Sequence, residues 1–174
     1  MLSQDERGDS MIIISDTTPL ISLLKIGRLE LLHHLFGEIQ IPYAVYRELT
    51  SNDNFKQEAI EILQSEYIQK VDVEDKKSVA LLRRATGLDE GESEAIILSD
   101  EMKADILLMD ELKGRQVAKQ MGLRIMGTVG ILMTAFEEKL LSADEIKQCI
   151  NVMKNNGRHI SEQLYEQLMD KINE

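Results

Sequence analysis

An α/β fold with a mostly parallel sheet covered by helices on both faces is predicted by three features of this chain. Short apolar runs (MIIIS at 11–15, EIQIP at 38–42, YIQKVDV at 67–73, DILLM at 105–109, LRIM at 123–126) recur between longer stretches of helical periodicity. Acids stand directly after two of these runs, at Asp16 and Asp110. No repeat, low-complexity tract or Pro/Ser-rich linker divides the chain. Strands alternating with helices imply a single three-layer α/β/α domain, its sheet buried on both faces.

In chain order, residues 1–10 form a polar leader compatible with disorder, lacking the charged-then-apolar order of a signal peptide. The MIIIS strand ends in Asp16-Thr17-Thr18-Pro19, and LISLLKI supplies a helix up to Gly27. Asp16 there reads equally well as a helix cap or as an acid at the carboxyl edge of the sheet, where open α/β folds bind ligands. Leu29–Phe36 is a second helical run, broken by Gly37. After the EIQIP strand, Pro42 suits a first helical turn, and Glu48 falls at the far end of the helix that follows. Exposed glutamates are common, but Val45 and Leu49 at helical spacing allow Glu48 to face inward.

Phe55–Ser65 is amphipathic, and Asp75–Thr86 reads as a helix ending at Gly87 with the basic pair Arg83-Arg84 in its last turn. The helix of Asp89–Lys103 carries Glu92 and Glu94. Asp89 and Glu92 fit a capping box, which competes with a ligand role for Glu92. Glu94 shares a helical face with Ile97 and Leu98, an expensive place for a charge unless something meets it. Gly114–Met121 is helical, with Lys113, Arg115 and Lys119 along it, and GTVGILMTAFEEKLL makes a further helix. Residues 141–174 form a helical extension predicted to pack on the same domain, with Ile160, Leu164, Leu168 and Ile172 spaced four apart; self-association through that stripe is the competing use.

Twenty basic against 31 acidic residues give a net charge of −11, the reverse of the footprint of a general nucleic-acid binder, so any such contact must be local or bridged by metal. One cysteine excludes an internal disulfide, and the three histidines have no ligand spacing. No run is long enough to suggest a membrane span, and cytoplasmic location is the default expectation. A P-loop, a GxGxxG turn and a GxSxG elbow are all absent.

The acids at strand ends or on apolar helix faces are Asp16, Glu48, Glu94 and Asp110, with Glu92 as a fifth. Converging on one point they would raise one another's pKa unless a divalent cation neutralised them. Oxygen-only ligands select hard ions, so Mg²⁺ or Mn²⁺ is expected, and phosphodiester hydrolysis is the natural reaction. Lys113, Arg115, Arg83 and Arg84 are candidates to steer a phosphate backbone.

The segments IIISDTTPLISLLKIG, IPYAVYREL, LDEGESEAIILSDEMKADILLMDELKGRQVAKQMG and LRIMGTVGIL, spanning about residues 11–140, together resemble the PIN domain, and within it a compact bacterial and archaeal group. The resemblance puts Asp16, Glu48, Glu94 and Asp110 at the four catalytic acid positions and Glu92 at the first glutamate of a metal-binding Glu-x-Glu pair. It implies a Mg²⁺- or Mn²⁺-dependent ribonuclease cutting single-stranded RNA, for which Thr17, Lys113 and Arg115 are the candidate substrate contacts on this chain. It further implies a toxin held silent by a small antitoxin protein; a homo-oligomer, most simply a dimer, is expected separately, through the C-terminal stripe. Two departures stand out: Met109-Asp110-Glu111 replaces the usual Thr-x-Asp, and the third position is Glu rather than Asp. A catalytically silent module binding a protein partner or nucleic acid is the competing function. A phosphatase or receiver is weaker, because Asp16-Thr17-Thr18 lacks the second acid of a DxD motif.

Overall fold

The computed structural model describes residues 11–174. Five strands, β1 (Ile13–Ser15), β2 (Ile39–Pro42), β3 (Ile68–Val71), β4 (Ile106–Leu108) and β5 (Ile125–Met126), form one sheet in the order β3-β2-β1-β4-β5. Every pairing is parallel, with Ile14 opposite Gln40 on one side of β1 and Leu107 on the other. The chain therefore builds outward from β1 through β2 and β3, then returns to β1's other side with β4. Such a reversal opens a crevice at the carboxyl ends of β1 and β4, the usual ligand position in open α/β sheets. Asp16 and Asp110 follow those two strand ends.

Among the described residues ten α-helices accompany the strands: α1 (Thr17–Lys25), α2 (Leu31–Phe36), α3 (Tyr43–Ser51), α4 (Lys56–Gln64), α5 (Lys76–Thr86), α6 (Glu90–Met102), α7 (Leu112–Gln120), α8 (Thr128–Glu137), α9 (Ala143–Asn155) and α10 (Glu162–Ile172). Because side chains alternate along a strand, β1 and β4 feed two cores. Ile13, Ile106 and Leu108 pack with residues of α1 to α4 and α8 to α10, while Ile14, Leu107 and Met109 pack with α5, α6 and α7. Burial on both sides explains why these strands are continuous apolar runs rather than alternating ones.

The C-terminal helices join the larger core through Ile146, Ile150, Met153, Leu168 and Ile172. Only three residues of the expected stripe fall on α10, because Ile160 precedes Glu162, and those three are not uniform: Leu168 and Ile172 are buried, whereas Leu164 in the first turn is 39% exposed. Residues 1–10, expected to be a polar leader, lie outside the described residues. Among the described residues no helix is long and apolar enough to cross a membrane.

Candidate functional site

Asp16 ends the central strand and stands at the N-cap position of α1, yet its carboxylate makes no capping bond. Its backbone is tied to the sheet by donating to the carbonyl of Leu108, 3.0 Å away. Only 5% of the residue is exposed. Burial pushes its carboxyl from the ordinary 3.8 up to about 8; the amide of Thr17 opposes the shift, and the negative charges of Asp89, Glu92 and Glu48 add to it. Among the described residues no Lys, Arg or His makes an ion pair with Asp16.

Glu48 reaches the same place from the far end of α3. Its Oε2 accepts a 2.8 Å hydrogen bond from the Thr17 hydroxyl, so the residue after Asp16 orients the acid opposite it. The first turn of α6 completes the enclosure. Gly91 lies so close that a Cβ on it would sit 3.5 Å from Glu48 Oε2, 3.7 Å from Asp16 Oδ1 and 3.7 Å from Asp89 Oδ1. Carboxylate oxygens from three elements thus surround one small space that glycine leaves clear. Asp89, read from the sequence only as a helix cap, is thereby a candidate site residue; the packing of α6 on β1 and α3 that brings it beside Asp16 leaves no local signal.

Glu92 serves the capping box. Its Oε2 accepts from the Asp89 backbone N–H at 3.0 Å, while Asp89 Oδ1 accepts from the Glu92 backbone N–H at 2.8 Å. Burial, together with the charges of Asp89 and Glu111, raises the Glu92 carboxyl even though the Asp89 backbone bond pulls it down.

Glu94 is buried, as its apolar helical face suggested, but it points at another partner. Its Oε2 accepts from the backbone N–H of Ala44 at 2.9 Å and so satisfies an orphan donor in the first turn of α3. Burial raises its carboxyl, and the nearest charges felt there are Glu90, Lys76 and Arg47 rather than Asp16. Two substitutions separate capping from ligation. Glu94→Ala should lower stability by about 1–3 kcal/mol in chemical denaturation, because a buried donor loses its acceptor. Glu94→Gln keeps an acceptor oxygen and should stay close to wild type; an equal loss from both variants would show that the charge is what matters.

Asp110 is also engaged. Its Oδ1 accepts from the backbone N–H of Thr128 at 2.7 Å, and its Oδ2 accepts from the Thr128 hydroxyl at 2.6 Å and from Arg158 Nη2 at 2.8 Å. Arg158, in the turn between α9 and α10, carries no mark in the sequence that would single it out. Arg115 Nη1 donates to the carbonyl of Met109 at 3.1 Å and borders the same spot across Gly127. Lys113 is exposed and lies beside Gly87, and Arg83 and Arg84 are exposed at the end of α5.

The five predicted acids therefore divide. Asp16, Glu48 and Glu92 share one acidic enclosure with Asp89; Glu94 holds the start of α3; Asp110 is bound by the start of α8 and by Arg158. As placed, no three His, Cys, Asp or Glu side chains among the described residues stand close enough to hold one ion together. In donor chemistry the enclosure still suits a hard divalent cation: oxygen-only groups, one strongly desolvated carboxyl, no ion pair to these acids among the described residues, and a space kept open by glycine.

No curated protein matches this chain. A family model described as PIN domain matches residues 12–174, from the first strand through the C-terminal helices, carrying with it a nuclease-like fold whose members generally are nucleases and typically bind divalent metals. By its acid-rimmed parallel sheet and by this match over almost its whole length, the chain belongs to the PIN-domain family.

Proposed function

We propose that this protein is a divalent-metal-dependent nuclease that hydrolyses phosphodiester bonds of single-stranded RNA, with Asp16 at the centre of its metal site. The observation that carries the reading is the enclosure around Asp16, where a buried carboxyl faces Glu48, Asp89 and Glu92 and, among the described residues, no Lys, Arg or His makes an ion pair with any of the four. Folded proteins rarely keep such an arrangement for stability alone, since like charges in a poorly solvated place are costly. Function is the usual reason.

Asp16, Glu48 and Asp89 are the residues assigned to hold the ion, with Glu92 beside them. When bound, a divalent cation supplies positive charge against the carboxylates and Lewis acidity toward a phosphate oxygen. That also gives an RNA strand a reason to approach a chain whose net charge is −11. The protein's own groups arrange the place: the Thr17 hydroxyl orients Glu48, the capping box fixes Asp89 and Glu92 on the first turn of α6, and the Leu108 carbonyl anchors Asp16. Glu94 and Asp110 have framework roles in this account, holding α3 and α8 against the site.

Incubation with end-labelled single-stranded RNA and DNA of one sequence tests the proposal. Cleavage of the RNA with Mn²⁺ or Mg²⁺, abolished by a chelator and restored by added metal, is expected. Cleavage that survives chelation, or equal cutting of the DNA, would contradict the reading.

A further inference from the structure

A second recess adjoins the acidic enclosure. It has a volume of about 650 Å³ and lies between α8 and the turn leading from α9 into α10. Arg115, Arg158 and His159 line it around Asp110, and Met133, Ile160 and Leu164 contribute apolar wall. Two arginines against one aspartate leave a local net charge of about +1, in a chain whose total is −11. Cations beside an apolar wall are the combination a nucleotide requires, with a phosphate to pair and a base to shelter.

Arg158 also lines a smaller cleft of about 160 Å³ together with Thr17 and Glu48. It therefore stands between the groove and Glu48, one of the acids assigned to the metal. Its position is held by Asp110, through the 2.8 Å bond from Nη2 to Oδ2, and Arg115 is held by the Met109 carbonyl. A guanidinium has five N–H donors, so one protein bond to each leaves others for phosphate oxygens. Asp110 and the Met109 carbonyl act as positioning groups for the two arginines.

We propose that this groove is the subsite for the nucleotide neighbouring the bond that is cut, with Arg158 and Arg115 contacting its phosphate and the wall formed by Met133, Ile160 and Leu164 receiving its base. The location of the subsite rests on the nuclease reading. Its test is made on binding alone, so the two can fail separately.

The probe is a fluorescein-labelled oligouridylate of ten nucleotides, and the readout is fluorescence anisotropy with the full chain in the presence of a chelator. Arg158→Ala and Arg115→Ala should each weaken binding by roughly tenfold and make the salt dependence shallower, by about 0.7 in the log–log slope for each lost phosphate contact on a single strand. Lys147→Ala, on α9 and outside the groove lining, should bind as wild type. Because Arg158→Ala removes an ion pair, a second variant guards against a folding defect: Leu164→Glu alters an exposed wall residue, leaves both arginines in place, and should weaken binding through repulsion of phosphate. Unchanged binding in Arg158→Ala and Leu164→Glu would overturn the subsite, whatever the cleavage assay shows, and would turn attention to a protein segment as the groove's occupant. Weakened binding in a protein that cuts no RNA would leave the groove as a nucleotide-binding site and remove the nuclease reading together with the groove's place beside a cut bond.

Discussion

Asp16→Asn should abolish cleavage and yet make the metal-free protein more stable at alkaline pH. The activity loss is expected to be at least about 100-fold, equivalent to ~3 kcal/mol of transition-state stabilisation, since the substitution removes the central anionic ligand. The gain in stability follows from the direction of the pKa shift. A carboxyl raised from 3.8 to about 8 binds its proton in the folded state over a range where the unfolded chain has released it. Stability therefore falls as pH rises through that window, between about pH 4 and pH 8, and levels off above it. The full linkage would be on the order of 5 kcal/mol, an upper bound because relaxation and water entry soften a buried charge.

Asparagine has nearly the same shape and no charge, so the slope due to Asp16 should vanish. A gain of about 1–3 kcal/mol over wild type at pH 8 is expected, with little difference at pH 4. Glu92 and Glu94, also raised by burial, leave a smaller slope of the same sign in the variant. Urea unfolding at several pH values checks this. An Asp16→Asn protein less stable than wild type at pH 8 would mean that Asp16 is satisfied by its surroundings and needs no ion.

Much of this arrangement was legible in the sequence, for reasons that are local. Apolar runs of β-branched residues announced the strands, and the acid directly after the first of them fell at the carboxyl edge of β1 because a strand end is set by its neighbours in sequence. The Asp89–Glu92 capping box was likewise readable from a three-residue spacing and is formed. Glu94 shows where such reading stops. A helical wheel says that it turns inward, but the donor that meets it is the Ala44 amide, 50 residues earlier and on another helix. Asp110 repeats the lesson, because its cation comes from Arg158, 48 residues later, and no periodicity connects the two. Asp89 belongs with Asp16 because α6 packs against both β1 and α3, with Gly91 facing Asp16 and Glu48. The stripe on α10 had the right spacing for a packed face, yet its first turn stands over the groove while its last turn enters the core.

Mn²⁺ should stabilise the wild-type protein strongly, and more so at pH 8 than at pH 5. An ion that binds only the folded state adds about 2.7 kcal/mol when present at 100 times its dissociation constant. For a chain of this size that is a rise of about 5–10 °C in Tm. The pH dependence arises because an ion must displace the proton that Asp16 holds in its absence, and that competition eases as pH approaches 8. Asp16→Asn should show almost none of the shift. Glu94→Gln should show nearly all of it, as its carboxylate serves α3.

The same prediction can be seen directly in a crystal soaked in Mn²⁺ at pH 8 and measured for anomalous scattering. A manganese peak is expected in contact with Asp16 and Glu48, beside Gly91, with Glu94 still on the Ala44 amide and Asp110 still on Arg158. A peak coordinated by Glu94 or Asp110 with Asp16 left untouched, or no peak between these acids at all, would contradict it.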